Sequence, residues 1–248
     1  MLSVKIIGQG EDIVLLHGWA LNIKIWQPWV EIYKHLYKFH LIDLPGSGGS
    51  YDIDMPSDIN KIMPMLKEVI PKNSTIIGWS FGGLLAILFA KTYHAHLKKI
   101  SLMCSNVCFT QQQNWQYAMD KNDFKIFHQQ VIKNPKQAIK TFISLQLLNT
   151  TYKSQAKTAL IKQMSQKLAH NQNLIAGLEI LKNTDLREIY KSLKIPIKAL
   201  FGEYDKLVPP NTADALVKLN PNTTTKIIKK SAHIPFLTHP IESLWLCQ

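Results

Sequence analysis

Ser80 stands in Gly78-Trp79-Ser80-Phe81-Gly82, a G-x-S-x-G pattern at the seam between two apolar runs in "TIIGWSFGGLLA". A serine hydroxyl is a poor nucleophile until a neighbouring base takes its proton. A sharp turn from strand to helix lifts such a hydroxyl clear of a sheet, and flanking glycines allow that turn's strained backbone. The helix predicted over "GGLLAILFAKTY" would aim its N-terminal N–H groups at developing negative charge. A serine that only caps a helix needs no partners elsewhere. A nucleophile needs an acid and then a histidine further along the chain.

Both are present. Among the nine histidines, His233 in "KKSAHIPF" directly follows the last apolar run, and His239 precedes Pro240, a place better suited to a surface or capping residue. For the acid, "KALFGEYDKLVP" offers Asp205 beyond the Gly202 turn, with Glu203 the weaker alternative; Asp185 has no strand before it. His233 would act as general base and Asp205 would orient it. An oxyanion needs donors. One is the Phe81 backbone N–H, next to the nucleophile; the second expected donor is the Trp19 N–H in "LLHGWALN", whose indole would wall the pocket. His17 is expected to hold that loop rather than to serve as a second base.

These residues need a scaffold that gathers loops. "DIVLLHG", "FHLIDLPG", "STIIGWS", "KKISLMCS", "IKALFGEYD" and "TTKIIKKSAH" are continuous apolar runs, as parallel strands buried on both faces require. Helical patterns alternate with them: "IWQPWVEIYKHL", "PSDINKIMPMLKEVI", "FGGLLAILFAKTY", "TADALVKL" and "PIESLWLC". The alternation predicts an α/β fold, an open and mostly parallel sheet with helices on both faces and ligands at the carboxyl ends of the strands. It breaks between about residues 109 and 183, where "NPKQAIKTFISLQLL" and "SQAKTALIKQMSQKLA" are amphipathic and no strand is predicted. Residues 110–183 therefore read as an all-helical lid on a core of residues 1–109 and 184–248.

Composition bounds the remaining possibilities. The 248 residues include three cysteines, Cys104, Cys108 and Cys247, at no metal-binding spacing, which fits reduced thiols, the cytoplasm and no metal or cofactor. No apolar run approaches the ~20 residues of a membrane span, and "MLSVKIIGQGED" has no secretory pattern. Of 29 basic residues only Arg187 is an arginine, and the formal net charge is +12. From Phe124 to Leu178 there is no acid but eight lysines: Lys125, Lys133, Lys136, Lys140, Lys153, Lys157, Lys162 and Lys167. A one-signed stretch is a candidate docking face for something acidic. Nucleic acid is a poor fit, since the block lacks the aromatic interleaving of a stacking platform.

In order and spacing, "LLHGW", "DLPGSGGS", "GWSFGG", "FGEYDKLVP" and "AHIPFLTHP" resemble the α/β-hydrolases. "LLHGWALNIKIW", "TFISLQ" and "GLEILKNTDLRE" are similar, more narrowly, to the pimeloyl-[acyl-carrier protein] methyl ester esterases of biotin biosynthesis. That resemblance implies a serine esterase that cleaves the methyl ester of a carrier-bound pimeloyl chain. It implies substrate contacts from Trp19, Ser80, Phe81, His233 and the stretch Phe142, Ile143, Ser144, Leu145 and Gln146. It also implies a small acidic acyl carrier protein as partner, gripped by basic lid residues, and a monomeric enzyme. Where the family offers mainly arginines this chain offers Lys136 and Lys140 on one helical face and Lys153 and Lys157 on another. Lysine lacks arginine's bidentate fork, so docking would be salt-sensitive. The alternative is a general carboxylesterase of small free esters, with the same catalytic residues and incidental lysines.

Overall fold

A computed structural model describes residues 1–150, 152, 154–164 and 168–248 of the chain. Seven strands form one sheet: β1 (Val4–Gly8), β2 (Glu11–Leu16), β3 (Tyr37–Ile42), β4 (Ser74–Trp79), β5 (Leu97–Met103), β6 (Ile197–Gly202) and β7 (Thr223–Ile228), in the order β1-β3-β2-β4-β5-β6-β7. All pairings are parallel except β1 with β3. The six predicted runs supply β2 to β7. All six residues of β4 are buried, which is why its sequence shows no alternation. β1 was not predicted from the sequence. It is a largely exposed edge strand, paired on one side only, so packing imposes little pattern on it.

Helices cover the sheet. They are α1 (Gln27–Tyr33), α2 (Ile62–Val69), α3 (Phe81–Thr92), α4 (Lys121–Lys133), α5 (Pro135–Leu145), α6 (Ser154–Met164), α7 (Asn171–Asn183), α8 (Arg187–Ser192), α9 (Thr212–Leu219), α10 (Pro235–Thr238) and α11 (Pro240–Ser243). α3 buries every residue from Phe81 to Ala90, a central helix apolar on all sides. α4 to α7 fall between β5 and β6, in the stretch with helical periods only. Asp120 and Asn134 start α4 and α5 by accepting N–H groups of their first turns. Between β5 and α4 the chain is irregular, with isolated bridges such as Thr110 with Met119.

The topology fixes where chemistry can occur. The chain builds β1, β2 and β3 on one side, then crosses β2 to lay down β4 on the other. Strand order reverses between β2 and β4, and the loops leaving their carboxyl ends diverge around a crevice. Leu16 at the end of β2 is in register with Gly78 of β4, so "HGW" and "SFG" emerge side by side. Beneath them Trp26, Trp79 and Phe236 pack ring against ring. The short C-terminal turns are tied down by bonds from Ser101 Oγ to the Leu246 carbonyl (2.8 Å) and from Trp29 Nε1 to that of Pro240 (3.1 Å). All three cysteines are free and buried, and burial pushes the Cys247 thiol up to about 12. Among the described residues, no helix is long and apolar enough to cross a membrane.

Candidate active site

Ser80 joins β4 to α3 with φ 52° and ψ −116°, a left-handed backbone that a non-glycine residue adopts only under constraint. Its N–H donates to the Met103 carbonyl (3.0 Å), and its carbonyl accepts from Gly83 N (2.9 Å) and Ser105 Oγ (2.7 Å). Gly78 and Gly82 make the turn possible. A Cβ on Gly78 would strike the Gly82 carbonyl, and one on Gly82 would strike that of Leu16. The sharp turn expected from G-x-S-x-G is there, strained and held from three sides.

Asp205 follows β6 and His233 follows β7, at the same edge of the sheet. His233 Nδ1 lies 2.7 Å from Asp205 Oδ2, with both side chains almost fully buried. Asp205 Oδ1 accepts the Leu207 and Val208 N–H groups at 2.9 and 3.0 Å, so the carboxylate cannot swing. That arrangement fixes the His233 proton on Nδ1, facing the acid. Nε2 is buried with no hydrogen-bond partner among the described residues. The His233 carbonyl accepts from Trp79 Nε1 (2.8 Å), and its N–H donates to the Gln146 carbonyl (3.2 Å) at the end of α5. The other candidates lie elsewhere. Glu203 is exposed and accepts the Lys230 N–H, Asp185 pairs with Arg187 at 2.7 Å, and His239 caps α11.

Among the described residues neither the Trp19 nor the Phe81 backbone N–H has a protein acceptor. The loop that carries Trp19 is held by His17 and Asp43. His17 Nδ1 donates to the Gly18 carbonyl (2.9 Å) and Nε2 accepts from Leu44 N (3.0 Å), which defines a neutral tautomer; burial lowers its pKa. Asp43 accepts N–H groups of Ile23 and Gly49 at 2.9 and 2.8 Å. Sequence reasoning missed Asp43, although it ends the run "FHLID" at the strand edge.

Trp19 is buried, with its Nε1 on the Leu174 carbonyl of α7 (2.9 Å). Its ring meets Phe127 and Phe142 edge-on at 5.5 and 5.4 Å, and those two stack on each other at 5.4 Å. They wall a cavity of about 30 Å³ with Ser80, Phe109, Met119, Phe124, Leu178, Leu181 and Leu207. Of the stretch 142–146, Phe142 lines it, Gln146 is buried against the His233 backbone, Ile143 is in the core and Leu145 is 45% exposed. Phe127 went unnoticed in the sequence; its only signal was aromatic spacing in "DFKIF". Lys136 is exposed, Lys140 and Lys157 are half-buried, and Lys153 and Lys167 lie outside the described residues.

The sheet, the strained serine turn and the buried His–Asp pair at its carboxyl edge describe a hydrolase. The chain belongs to the alpha/beta hydrolase fold family, whose pattern it matches over residues 13–240. It is 34% identical over 231 residues to the pimeloyl-[acyl-carrier protein] methyl ester esterase of Pectobacterium atrosepticum, covering 92% of this chain and 89% of that protein. It is 33% identical over 235 residues to the protein of the same name from Salmonella newport, covering 94% and 91%. Its fold is shared with an esterase from Exiguobacterium antarcticum (TM-score 0.86, 21% identity, 95% and 90% of the two chains). It is also shared with a bromoperoxidase from Bacillus anthracis (TM-score 0.88, 19% identity, 99% and 94%).

Proposed function

We propose that this chain is a serine carboxylesterase that hydrolyses the methyl ester of pimeloyl-[acyl-carrier protein], releasing methanol and the free acid in biotin biosynthesis. The observation that carries the chemistry is the buried His233–Asp205 pair, whose far nitrogen Nε2 has no hydrogen-bond partner among the described residues. That nitrogen is free to take the Ser80 proton as the hydroxyl attacks the ester carbonyl. The tetrahedral oxyanion then accepts from the Trp19 and Phe81 N–H groups, which have no acceptor among the described residues. His233 protonates the departing methoxide, then draws a proton from water to release the acid from Ser80. No cofactor enters these steps.

The substrate rests on the similarity to the Pectobacterium and Salmonella esterases, which spans core and helical segment alike. In this reading residues 110–183 form a lid whose Phe142 and Phe127 grip the acyl chain beside Trp19. Lys136, Lys140, Lys153 and Lys157 would meet the acidic carrier, and the enzyme would work as a monomer in the cytoplasm. The second reading, an esterase of short free esters, is favoured by the small size of the cavity beside Ser80: about 30 Å³ is far too little to enclose a long acyl chain.

Wild type and Ser80→Ala are compared on pimeloyl-[acyl-carrier protein] methyl ester and on a short free methyl ester, at low and high salt. The proposal expects preference for the carrier-bound ester, loss of that preference with salt, and no turnover by the variant. Equal cleavage of both esters, indifferent to salt, establishes the second reading instead.

A further inference from the structure

Phe124 is a wall of two cavities. On one side is the apolar cavity beside Ser80; on the other is a surface groove of about 620 Å³ between α4 and α7, within the usual size of a ligand site. Lys121, Lys125 and Lys182 line the groove, all exposed, and among the described residues no Asp or Glu lines it. Among the described residues Lys121 meets only a neutral partner, Gln112 Oε1 at 3.3 Å, and Lys125 makes no ion pair. The adjoining carboxylate of Glu179 is already engaged by Lys182 Nζ at 3.4 Å and Asn183 Nδ2 at 3.1 Å. The rest of the lining includes the uncharged amides of Asn122 and Gln129. Lysine ammonium groups suit phosphate as point charges, and side-chain amides suit an amide-bearing chain.

The geometry points to this groove as the berth of the carrier protein's prosthetic arm, an amide-bearing chain joined through a phosphodiester. The phosphate would lie among Lys121, Lys125 and Lys182, and the acyl end would pass Phe124 towards Ser80. This inference rests on the proposed esterase function. It assigns the arm to α4 and α7 and leaves Lys136 and Lys140 on α5 to the carrier's body.

The test uses wild type and the double variant Lys121→Glu/Lys125→Glu. Both positions are exposed, and an acidic side chain at the first residue of α4 suits the helix dipole, so the fold is kept; a thermal melt checks this. The substrates are pimeloyl methyl esters of phosphopantetheine, of pantetheine without its phosphate and of the intact carrier, with a short free methyl ester as control. KM for the phosphopantetheine and carrier esters should rise about tenfold in the variant at low salt, with kcat unchanged. The phosphate-free and short esters should be cleaved as before. An effect on the carrier ester alone overturns the inference, because the groove then meets the carrier's body. No effect on either phosphate-bearing ester overturns it too. A wild type that cleaves the short ester but no pimeloyl ester overturns the proposed function and this inference with it.

Discussion

Replacing Asp205 by Asn separates its electrostatic role from its structural one. Three donors converge on the buried carboxylate: Leu207 N and Val208 N on Oδ1, His233 Nδ1 on Oδ2. An asparagine can keep the two backbone bonds only by turning its carbonyl towards them. Its NH2 group must then face His233 Nδ1, which has to become an acceptor. The imidazole proton moves to Nε2, the nitrogen that should receive the Ser80 proton, and the base is lost with the packing intact. A wrong tautomer of this kind costs on the order of 10⁴ in kcat. The stability cost should stay near 1–2 kcal/mol, since one charge-assisted bond becomes a neutral one. Asp205→Ala leaves all three donors without an acceptor. At about 1 kcal/mol or more each, that costs at least ~3 kcal/mol, or roughly 6–12 °C in Tm for a chain of this size. Steady-state turnover of a short ester, run beside thermal melts, reads both quantities. An Asn variant whose kcat stays within tenfold of wild type refutes the assignment of Asp205 as the group that sets the His233 tautomer.

Three further outcomes follow from the geometry. Gly177→Ala on α7 places a methyl 2.8 Å from Trp19 Cδ1 and 3.0 Å from Nε1. The helix gains up to about 1 kcal/mol from alanine but overpacking costs about 1–3 kcal/mol, so kcat should fall as the Trp19 loop shifts, and unchanged kinetics would show that the loop yields freely. His17 is buried with its pKa lowered, so the unfolded chain takes up a proton below about 6.5 that the folded chain refuses. Stability should therefore fall as pH drops through that range, and urea midpoints in His17→Asn should show a flatter acid limb; an unaltered slope assigns the acid sensitivity to another group. All three thiols are buried, and burial raises each of their pKa values. A thiol reagent at neutral pH should find none in the native protein and three after unfolding; prompt reaction of any native thiol contradicts the packing described here.

What the sequence disclosed tracks how tightly each residue is constrained. Ser80 was legible because a strained φ of 52° between two crowded glycines leaves few acceptable residues, and the pattern survives as G-x-S-x-G. The central strands were legible because burial on both faces demands unbroken apolar runs. β1, exposed and paired on one side, satisfies no such demand and left no mark. The pocket was harder for a different reason. A helix turns about 100° per residue, so of Phe142 to Leu145 Phe142 lines the cavity, Ile143 turns into the core and Leu145 points out. Sequence similarity names a contiguous stretch; the helix decides which of its members can touch anything. Phe127, in another helix, enters the same cavity without sharing any local pattern with Trp19 or Phe142. The groove beside Phe124 has the same origin. Lys121, Lys125 and Lys182 are spread over more than sixty residues, and only the packing of α4 on α7 gathers their charges into one place. Counted along the chain they are part of a general lysine excess; gathered across two helices they form a site that an anionic arm could fill.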